Sequence, residues 1–322
     1  MSRYILSVST EEGSMKKTFA RIAMTLFVVC LLCLVACARE LDARTPADSA
    51  HGDARQNGSA NAPTSSSSLR VSYIDVGKGD CILIQEGDAA VLIDAGYENT
   101  AANVLAHLRN QGVRHLDAMV ITHYDRDHIG GIRAIGEGVS VKTVYLPGYE
   151  GADKNYRSCI SAVKALGVST QRISKETSLN VGNARLAVYP SGVAYELSAG
   201  EAEGNDNDAS LVAALTNGRD SLLFAGDLEE DGIAAHLKAK HGQFDVLKMP
   251  HHGRRSSNTA VFLDDVRPQI VVITDSQKDS ADKKTLKLLK AANAKTYRTS
   301  VDGTVVVESH GTGTYSVSSS KS

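Results

Sequence analysis

Hydrophobic positions from residue 69 onward fall into short runs whose spacing alternates between strand-like and helix-like. Runs rich in β-branched residues and bounded by Gly or Asp predict strands, and apolar residues three and four positions apart predict helices. The predicted strands cover residues 70–75, 81–85, 89–94, 116–122, 141–146, 184–189, 210–216, 221–225, 246–249 and 269–274. The predicted helices cover residues 100–110, 156–165, 231–240 and 283–291. This alternation in both halves of the chain indicates an α/β fold in which helices cover sheets.

The N-terminal part of the chain has a different pattern. Basic residues precede an apolar run over residues 22–36, which ends at Cys37 in the sequence LVAC. Positive charge, a short apolar run and small residues before a cleavage site are typical of a secretory signal peptide. Because LVAC also resembles a bacterial lipobox, we predict that residues 1–37 are a signal peptide and that Cys37 is lipidated. An uncleaved signal-anchor helix is the alternative, although the run is shorter than the roughly 20 residues of a membrane span.

The predicted organisation has three parts. Residues 38–68 are rich in Ala, Ser, Asp, Asn and Gly without apolar periodicity, which predicts a flexible linker. Residues 69–316 are predicted to form the folded domain. The expected location is therefore outside the cytoplasm, with a lipid anchor in the bacterial cell membrane. The sequence does not identify a protein partner.

The amino-acid composition excludes several classes of protein. Hydrophobic residues make up 42% of 322 positions, and 35 basic residues against 37 acidic ones give a net charge of −2. This excludes a wholly disordered chain and a strongly basic, phosphate-coating protein. Removal of residues 1–36, with four basic and two acidic side chains, leaves 31 basic and 35 acidic residues and a net charge of −4. Five cysteines are too few for a disulfide scaffold; Cys81 and Cys159 either pair or stay buried as small hydrophobic residues.

Side chains that bind metals follow three of the predicted strands. The first of these strands is followed by His123, Asp125, Asp127 and His128, the second by Asp227, and the third by His251 and His252. Imidazole and carboxylate groups are ligands for zinc, and for manganese where oxygen donors dominate. A helix cap explains one such Asp, but it does not explain four candidate ligands within six residues. The sequence therefore predicts one or two divalent ions, zinc first and manganese as the alternative.

These segments resemble a known family. The motifs are THYDRDHIGG at 122–131, LLFAGD at 222–227, LKMPHHG at 247–253, YIDVGKGD at 73–80 and LIDAG at 92–96. They resemble the metallo-β-lactamase fold and, within it, the hydrolase domain that ends the DNA-uptake channel protein ComEC and also occurs in free-standing secreted proteins. The resemblance implies an αββα four-layer sandwich with a metal site at one edge of its two sheets.

The resemblance also implies roles for the candidate ligands. His123 and Asp125 would hold one ion, Asp127 and His128 the second, Asp227 would bridge both, and His251 would complete the second site. Asp127 and His128 would be the catalytic residues. The segment 207–212 contains Asn where the family usually has a third histidine motif. The first site would therefore have mainly oxygen ligands. Binding of one ion is an alternative to binding of two. The segment 274–282 also lacks the histidine that ComEC-like domains carry there.

The expected function follows from the ions. A bound divalent cation lowers the pKa of water toward neutrality and so supplies a nucleophile for hydrolysis. Lys248, His252 and Arg254 are predicted to meet a phosphodiester or nucleic-acid substrate, or to form a solvated surface loop. The leading hypothesis is a phosphodiesterase or nuclease; hydrolysis of a lactone, thioester or β-lactam is the second. A catalytically weak lipoprotein that binds ligands is the third, supported by the missing histidine and the net charge of −4.

Overall fold

The structure is a computed structural model that describes residues 68–195 and 206–321. The predicted signal peptide, its Cys37 and residues 38–67 of the predicted linker lie outside the described residues. Among the described helices, none is long and apolar enough to cross a membrane.

The first half of the domain contains eight strands and four helices. The strands are β1 (Leu69–Tyr73), β2 (Ile82–Glu86), β3 (Ala89–Ile93), β4 (His115–Leu116), β5 (Ala118–Val120), β6 (Ser140–Val141), β7 (Thr143–Pro147) and β8 (Ser169–Ile173). The helices are α1 (Ala101–Asn110), α2 (Arg126–Ile129), α3 (Ile132–Gly138) and α4 (Lys154–Leu166).

The second half contains nine strands and four helices among the described residues. The strands are β9 (Thr177–Val181), β10 (Ala184–Pro190), β11 (Leu211–Asn217), β12 (Asp220–Phe224), β13 (Val246–Lys248), β14 (Ile270–Ile273), β15 (Lys295–Arg298), β16 (Val305–Ser309) and β17 (Tyr315–Ser319). The helices are α5 (Glu230–Ala239), α6 (Thr259–Val266), α7 (Lys283–Ala291) and α8 (Thr299–Asp302).

Two large mixed sheets are built from these strands. One has the order β17-β16-β1-β2-β3-β5-β7-β8, and the other has the order β15-β14-β13-β12-β11-β10-β9. Within them β3 and β5 are parallel, as are β12, β13 and β14. Strands β4 and β6 form a separate two-stranded sheet. The carboxyl ends of parallel neighbours meet at one sheet edge, which is where ligands bind in many α/β folds.

Three clusters of buried apolar side chains separate four layers. The central cluster lies between the two sheets and includes Val91, Val120, Phe224 and Val246. One outer cluster joins Leu92 and Met119 of the first sheet to Val104, Ile135 and Val163 on α1, α3 and α4. The other joins Leu223 and Leu247 of the second sheet to Ile233, Phe262 and Leu289 on α5, α6 and α7. The predicted αββα sandwich is therefore confirmed.

Several elements were not predicted from the apolar pattern. Strands β8, β9 and β15 lie at sheet edges and are half exposed, with sequences such as STQRI and KTYR. Their polar faces hide the alternation that marks a buried strand. Helix α6 was also missed, because its short apolar sequence TAVFLDDV suits either a strand or a helix.

The two described cysteines are separate free thiols. Cys81 and Cys159 are both buried, and both belong to the apolar cluster beneath the first sheet. Of the two alternatives left open by the sequence, the structure contains the buried, unpaired thiols.

Asp220 links the second sheet to the C-terminal hairpin of the first. Its fully buried carboxylate accepts hydrogen bonds from Ser309 Oγ at 2.6 Å, Gly311 N at 2.9 Å and Gly313 N at 2.5 Å. Ser309 ends β16, and the two glycines form the turn to β17. Three donors thus depend on one carboxylate.

We predict that Asp220→Ala lowers the free energy of unfolding by about 3 kcal/mol, because buried donors lose their acceptor. Urea unfolding measures this change. Asp88→Ala, at an exposed turn position, is the control and should change stability by less than about 0.5 kcal/mol. Equal midpoints for the two variants would contradict the prediction.

Candidate metal centre

The candidate ligands converge at the edge shared by the two sheets. His123, Asp127 and His128 follow β5, Asp227 follows β12, and His252 follows β13. All five residues are buried, each with at most 6% of its surface exposed. The structure therefore brings together residues from the three segments that the sequence singled out.

Four donor atoms form the tightest group. His252 Nε2 lies 3.4 Å from Asp127 Oδ2, 3.4 Å from His128 Nε2 and 3.0 Å from Asp227 Oδ2. His128 Nε2 lies 3.4 Å from Asp227 Oδ2. Tetrahedral zinc with bonds of 2.0–2.1 Å needs donor atoms about 3.3–3.4 Å apart. The four distances above, 3.0–3.4 Å, are close to that spacing, so this group, which we call the four-donor cluster, suits a zinc-sized cation.

His251 lies outside that cluster. Its Nδ1 is 2.7 Å from Glu229 Oε1, and its Nε2 is 3.8 Å from Asp227 Oδ2. His251 and His252 both have left-handed backbone conformations, with φ of 44° and 52°, and their rings are nearly perpendicular. Such conformations are costly outside glycine and persist where surrounding contacts impose them. The geometry favours His252 as the donor, whereas the sequence prediction had assigned this position to His251 and substrate contact to His252.

His123 and Asp125 form a looser second group. His123 is fully buried, and its Nε2 has no hydrogen-bond partner among the described residues. The nearest carboxylate oxygen of Asp125 is 3.8 Å from this nitrogen, and the Asp125 side chain is 43% exposed. An unsatisfied buried ring nitrogen is costly, so a ligand role suits it. Ser210 Oγ, from the segment that lacks the third histidine, lies 3.3 Å from His123 Nδ1.

Side chains behind the cluster fix the imidazole rings. Asp94 Oδ2 lies 2.8 Å from His128 Nδ1 and accepts a hydrogen bond from Thr122 Oγ1 at 2.7 Å. Thr274 Oγ1 lies 3.1 Å from His252 Nδ1 and donates to Asp80 Oδ1 at 2.6 Å. Histidines that bind metals usually use their second ring nitrogen in this way. The sequence reasoning did not assign these roles, although Asp94 carries the same signal as Asp227, a carboxylate directly after a buried strand.

Lys248 has a different position from the one predicted. Its side chain is fully buried at the end of β13 and donates to Gly226 O at 2.9 Å. The ammonium group also pairs closely with Asp80 and lies 3.4 Å from Asp227 Oδ1. Alternate residues of a strand lie on the same face, so Lys248 lies on the same side of β13 as Val246, between the two sheets. Lys248 therefore contacts the cluster from the protein interior and does not face substrate.

The local charges keep the Asp227 carboxylate ionised. Burial lowers the pKa of His123 well below its usual value, which leaves a neutral ring. Burial also opposes the charged form of His128, but Asp227 and Asp94 outweigh it and raise the pKa of His128. For Asp227, burial is outweighed by the charges of His252, His128 and Lys248, which hold its pKa well below the usual range. Ionised carboxylates beside imidazoles attract a divalent cation, whose binding releases the imidazole protons.

Comparison with known proteins identifies the family. The sequence profile of the Metallo-beta-lactamase superfamily matches residues 74–273, more than half of the chain. The chain belongs to this superfamily. It is also 26% identical over 272 residues to ComE operon protein 3 of Bacillus subtilis (strain 168) and 30% identical over 211 residues to Competence protein ComA of Neisseria gonorrhoeae. The ComEC-like resemblance is therefore confirmed.

The relatives are much longer than the matched region. The two matches cover 76% and 63% of this chain but 33% and 26% of the relatives, so the chain spans about a third or less of their length. Among solved structures, the metallo-beta-lactamase fold protein YhfI from Bacillus subtilis is similar, with 13% identity and a TM-score of 0.49. That similarity covers 76% of this chain and 100% of YhfI.

In this metallo-beta-lactamase superfamily member, one cavity adjoins the cluster at His252, and a second cavity lies next to the first. One, of about 290 Å³, is lined by Lys78, Tyr97, His251, His252, Arg254, Asp279, Ser280 and Asp282. The other, of about 250 Å³, is lined by Asp208, Leu228, Glu229, Glu230, His251, Arg254, Arg255 and Ser256. His251 and Arg254 line both cavities. The segment without the late histidine contributes Asp279 and Asp282 to the larger one.

Single substitutions of His251 and His252 compare their contributions to metal binding. We predict that His252→Ala weakens zinc binding by about 100-fold or more, because it removes the residue closest to the other three donors. His251→Ala, one position away on the same backbone, should keep zinc affinity within roughly tenfold, since its ring pairs with Glu229. Zinc titration against a competing chelator measures both, with circular dichroism to check folding. The opposite order of effects would return His251 to the ligand position.

Proposed function

We propose that this protein is a metal-dependent phosphodiesterase, with nucleic acid as the leading substrate class. The observation that carries this proposal is a four-donor cluster that shares His252 with a cavity lined by Lys78 and Arg254. Superfamily members with such donor sets are mostly hydrolytic. The cluster supplies the chemistry, and the two cations supply affinity for an anionic substrate.

The donor residues have separate parts in this proposal. Asp127, His128, Asp227 and His252 would hold one divalent ion, zinc first and manganese as the alternative. His123 and Asp125 would hold a second ion beside Asp227. When bound, such ions lower the pKa of water toward neutrality and neutralise charge that develops on phosphoryl oxygens. Asp94 and Thr274 keep the imidazoles of His128 and His252 in the orientation that this binding needs.

The cavity residues would recognise the substrate. Lys78 and Arg254 present an ammonium and a guanidinium group to anionic oxygens, and guanidinium matches phosphate geometry well. His251, held by Glu229, lines both cavities and would lie beside the scissile group. Lys78 and Arg254 would direct a phosphodiester to the His252 side of the cavity, whose lining also includes Asp279 and Asp282. If the protein has no hydrolytic activity, the same cavity would be the ligand site of the binding module.

Other parts of the proposal concern biological context. Relatives named for competence, a process of DNA uptake, support a role with nucleic acid. A lipid anchor at Cys37 would hold the domain at the outer side of the cell membrane, where incoming nucleic acid is accessible. Protein partners are not part of the proposal.

We predict that the purified protein with added Mn²⁺ or Zn²⁺ hydrolyses bis(p-nitrophenyl) phosphate and single-stranded DNA. Asp227→Ala should reduce both rates by roughly a hundredfold or more, because it removes the carboxylate that lies beside the donor nitrogens of both His128 and His252. Asp264→Ala, at an exposed position on α6, is the matched control and should keep wild-type rates.

Other substrates separate the alternatives. Hydrolysis of p-nitrophenyl acetate or a β-lactam, with no diester hydrolysis, would contradict the phosphodiesterase proposal and support the second enzyme hypothesis. Metal binding without hydrolysis of any of these substrates would support the binding module.

A further inference from the structure

Two lysines pair with the acidic donors of the cluster in different ways. Lys248 is fully buried and has three partners, Asp80, Asp227 and the carbonyl oxygen of Gly226. Within residues 68–195 and 206–321, Lys78 has one carboxylate within ion-pair distance, Asp127, whose Oδ2 lies 3.1 Å from Nζ, and its side chain is 26% exposed. Lys248 is therefore fixed by its surroundings, whereas Lys78 is held by one contact at the edge of a cavity.

The contact of Lys78 involves an oxygen of the four-donor cluster. Asp127 Oδ2 accepts from Lys78 Nζ, and the same oxygen lies 3.4 Å from His252 Nε2. A divalent cation held by that oxygen would repel the ammonium group and weaken its attraction to the carboxylate. The ammonium of Lys78 and a metal ion therefore compete for Asp127.

Close contacts hold the backbone next to Lys78 in place. A response of Lys78 to metal binding would therefore be a movement of its side chain. Gly79 packs so closely on the loop of Asp127 that an added Cβ would lie 2.6 Å from Asp127 O. Asp80 N also donates to Asp127 O at 3.2 Å. The open direction for the Lys78 side chain is the 290 Å³ cavity that it lines together with Arg254.

We infer that Lys78 is an exchangeable counter-ion that couples metal binding to recognition of an anionic substrate. In protein stripped of metal, its ammonium group neutralises Asp127. Metal binding releases the ammonium group into the cavity, where it binds a phosphoryl oxygen beside Arg254. The substrate part of this inference rests on the proposed phosphodiesterase function, and the metal part does not. Anionic substrate therefore binds well only after the metal.

The first test measures zinc affinity by competition with a chromophoric chelator. Lys78→Met should bind zinc about two- to fivefold more tightly than the wild type, because a partly exposed ion pair no longer competes for Asp127. Lys238→Met removes a lysine at an exposed position on α5 and should leave zinc affinity unchanged. Lys78→Gln repeats the test if the methionine variant folds poorly.

The second test measures binding of inorganic phosphate to the zinc-loaded protein by calorimetry. Lys78→Met should weaken phosphate binding by about tenfold, the usual effect of losing one charged hydrogen bond. Lys78→Arg keeps a cation and should retain both zinc and phosphate binding close to the wild type. One substitution thus moves two affinities in opposite directions, which a merely structural role of Lys78 would not produce.

Several outcomes would overturn the inference. Weaker zinc binding in Lys78→Met would make Lys78 a supporting residue of the cluster, and unchanged phosphate binding would remove it from substrate recognition. A wild-type protein that binds no zinc or manganese would overturn both this inference and the metal centre. Opposite shifts in the two affinities without diester hydrolysis would contradict the phosphodiesterase proposal while leaving the role of Lys78 in place.

Discussion

The burial of carboxylates at one sheet edge is the constraint on which the rest of the site depends. Asp80, Asp94, Asp127 and Asp227 are each at most 6% exposed. A buried carboxylate without a partner is strongly unfavourable, so each needs a cation or several donors nearby. Imidazoles and the buried Lys248 fill that role here, and removing Lys248 would leave Asp80 without its close ion-pair partner. The centre and its supports are therefore expected to be stable only as a unit.

The sandwich explains why these charges meet. Asp80 lies in the turn between β1 and β2 of the first sheet, and Asp227 follows β12 of the second. Lys248 contacts both, so its ammonium group joins the sheets at their shared edge. Thr274 adds a second link, because it lies between Asp80 and the ring of His252. The apolar layer between the sheets holds the strand ends in register, and these polar contacts then fix the side chains at those ends.

Sequence reasoning identified three segments that the structure brings together at this edge, and the assignment of individual ligands stays a prediction. Candidate ligands after three buried strands could be recognised because parallel strand ends meet at one edge. The choice between His251 and His252 depends on two consecutive left-handed backbone conformations, which side-chain pattern does not reveal. The buried position of Lys248 follows from alternation along β13, but its charge suggested an exposed residue. Strands β8, β9 and β15 were not predicted, because each lies at a sheet edge and exposes polar side chains to solvent.

The most direct test of the centre is a crystal structure of the zinc-loaded protein with anomalous diffraction data collected at the zinc absorption edge. The account predicts an anomalous peak bonded to Asp127, His128, Asp227 and His252, with His251 directed to Glu229. A second peak beside His123 and Asp125 is compatible with it. A peak bonded to His251 with His252 turned away, or a peak remote from all seven of these histidines and aspartates, would contradict it.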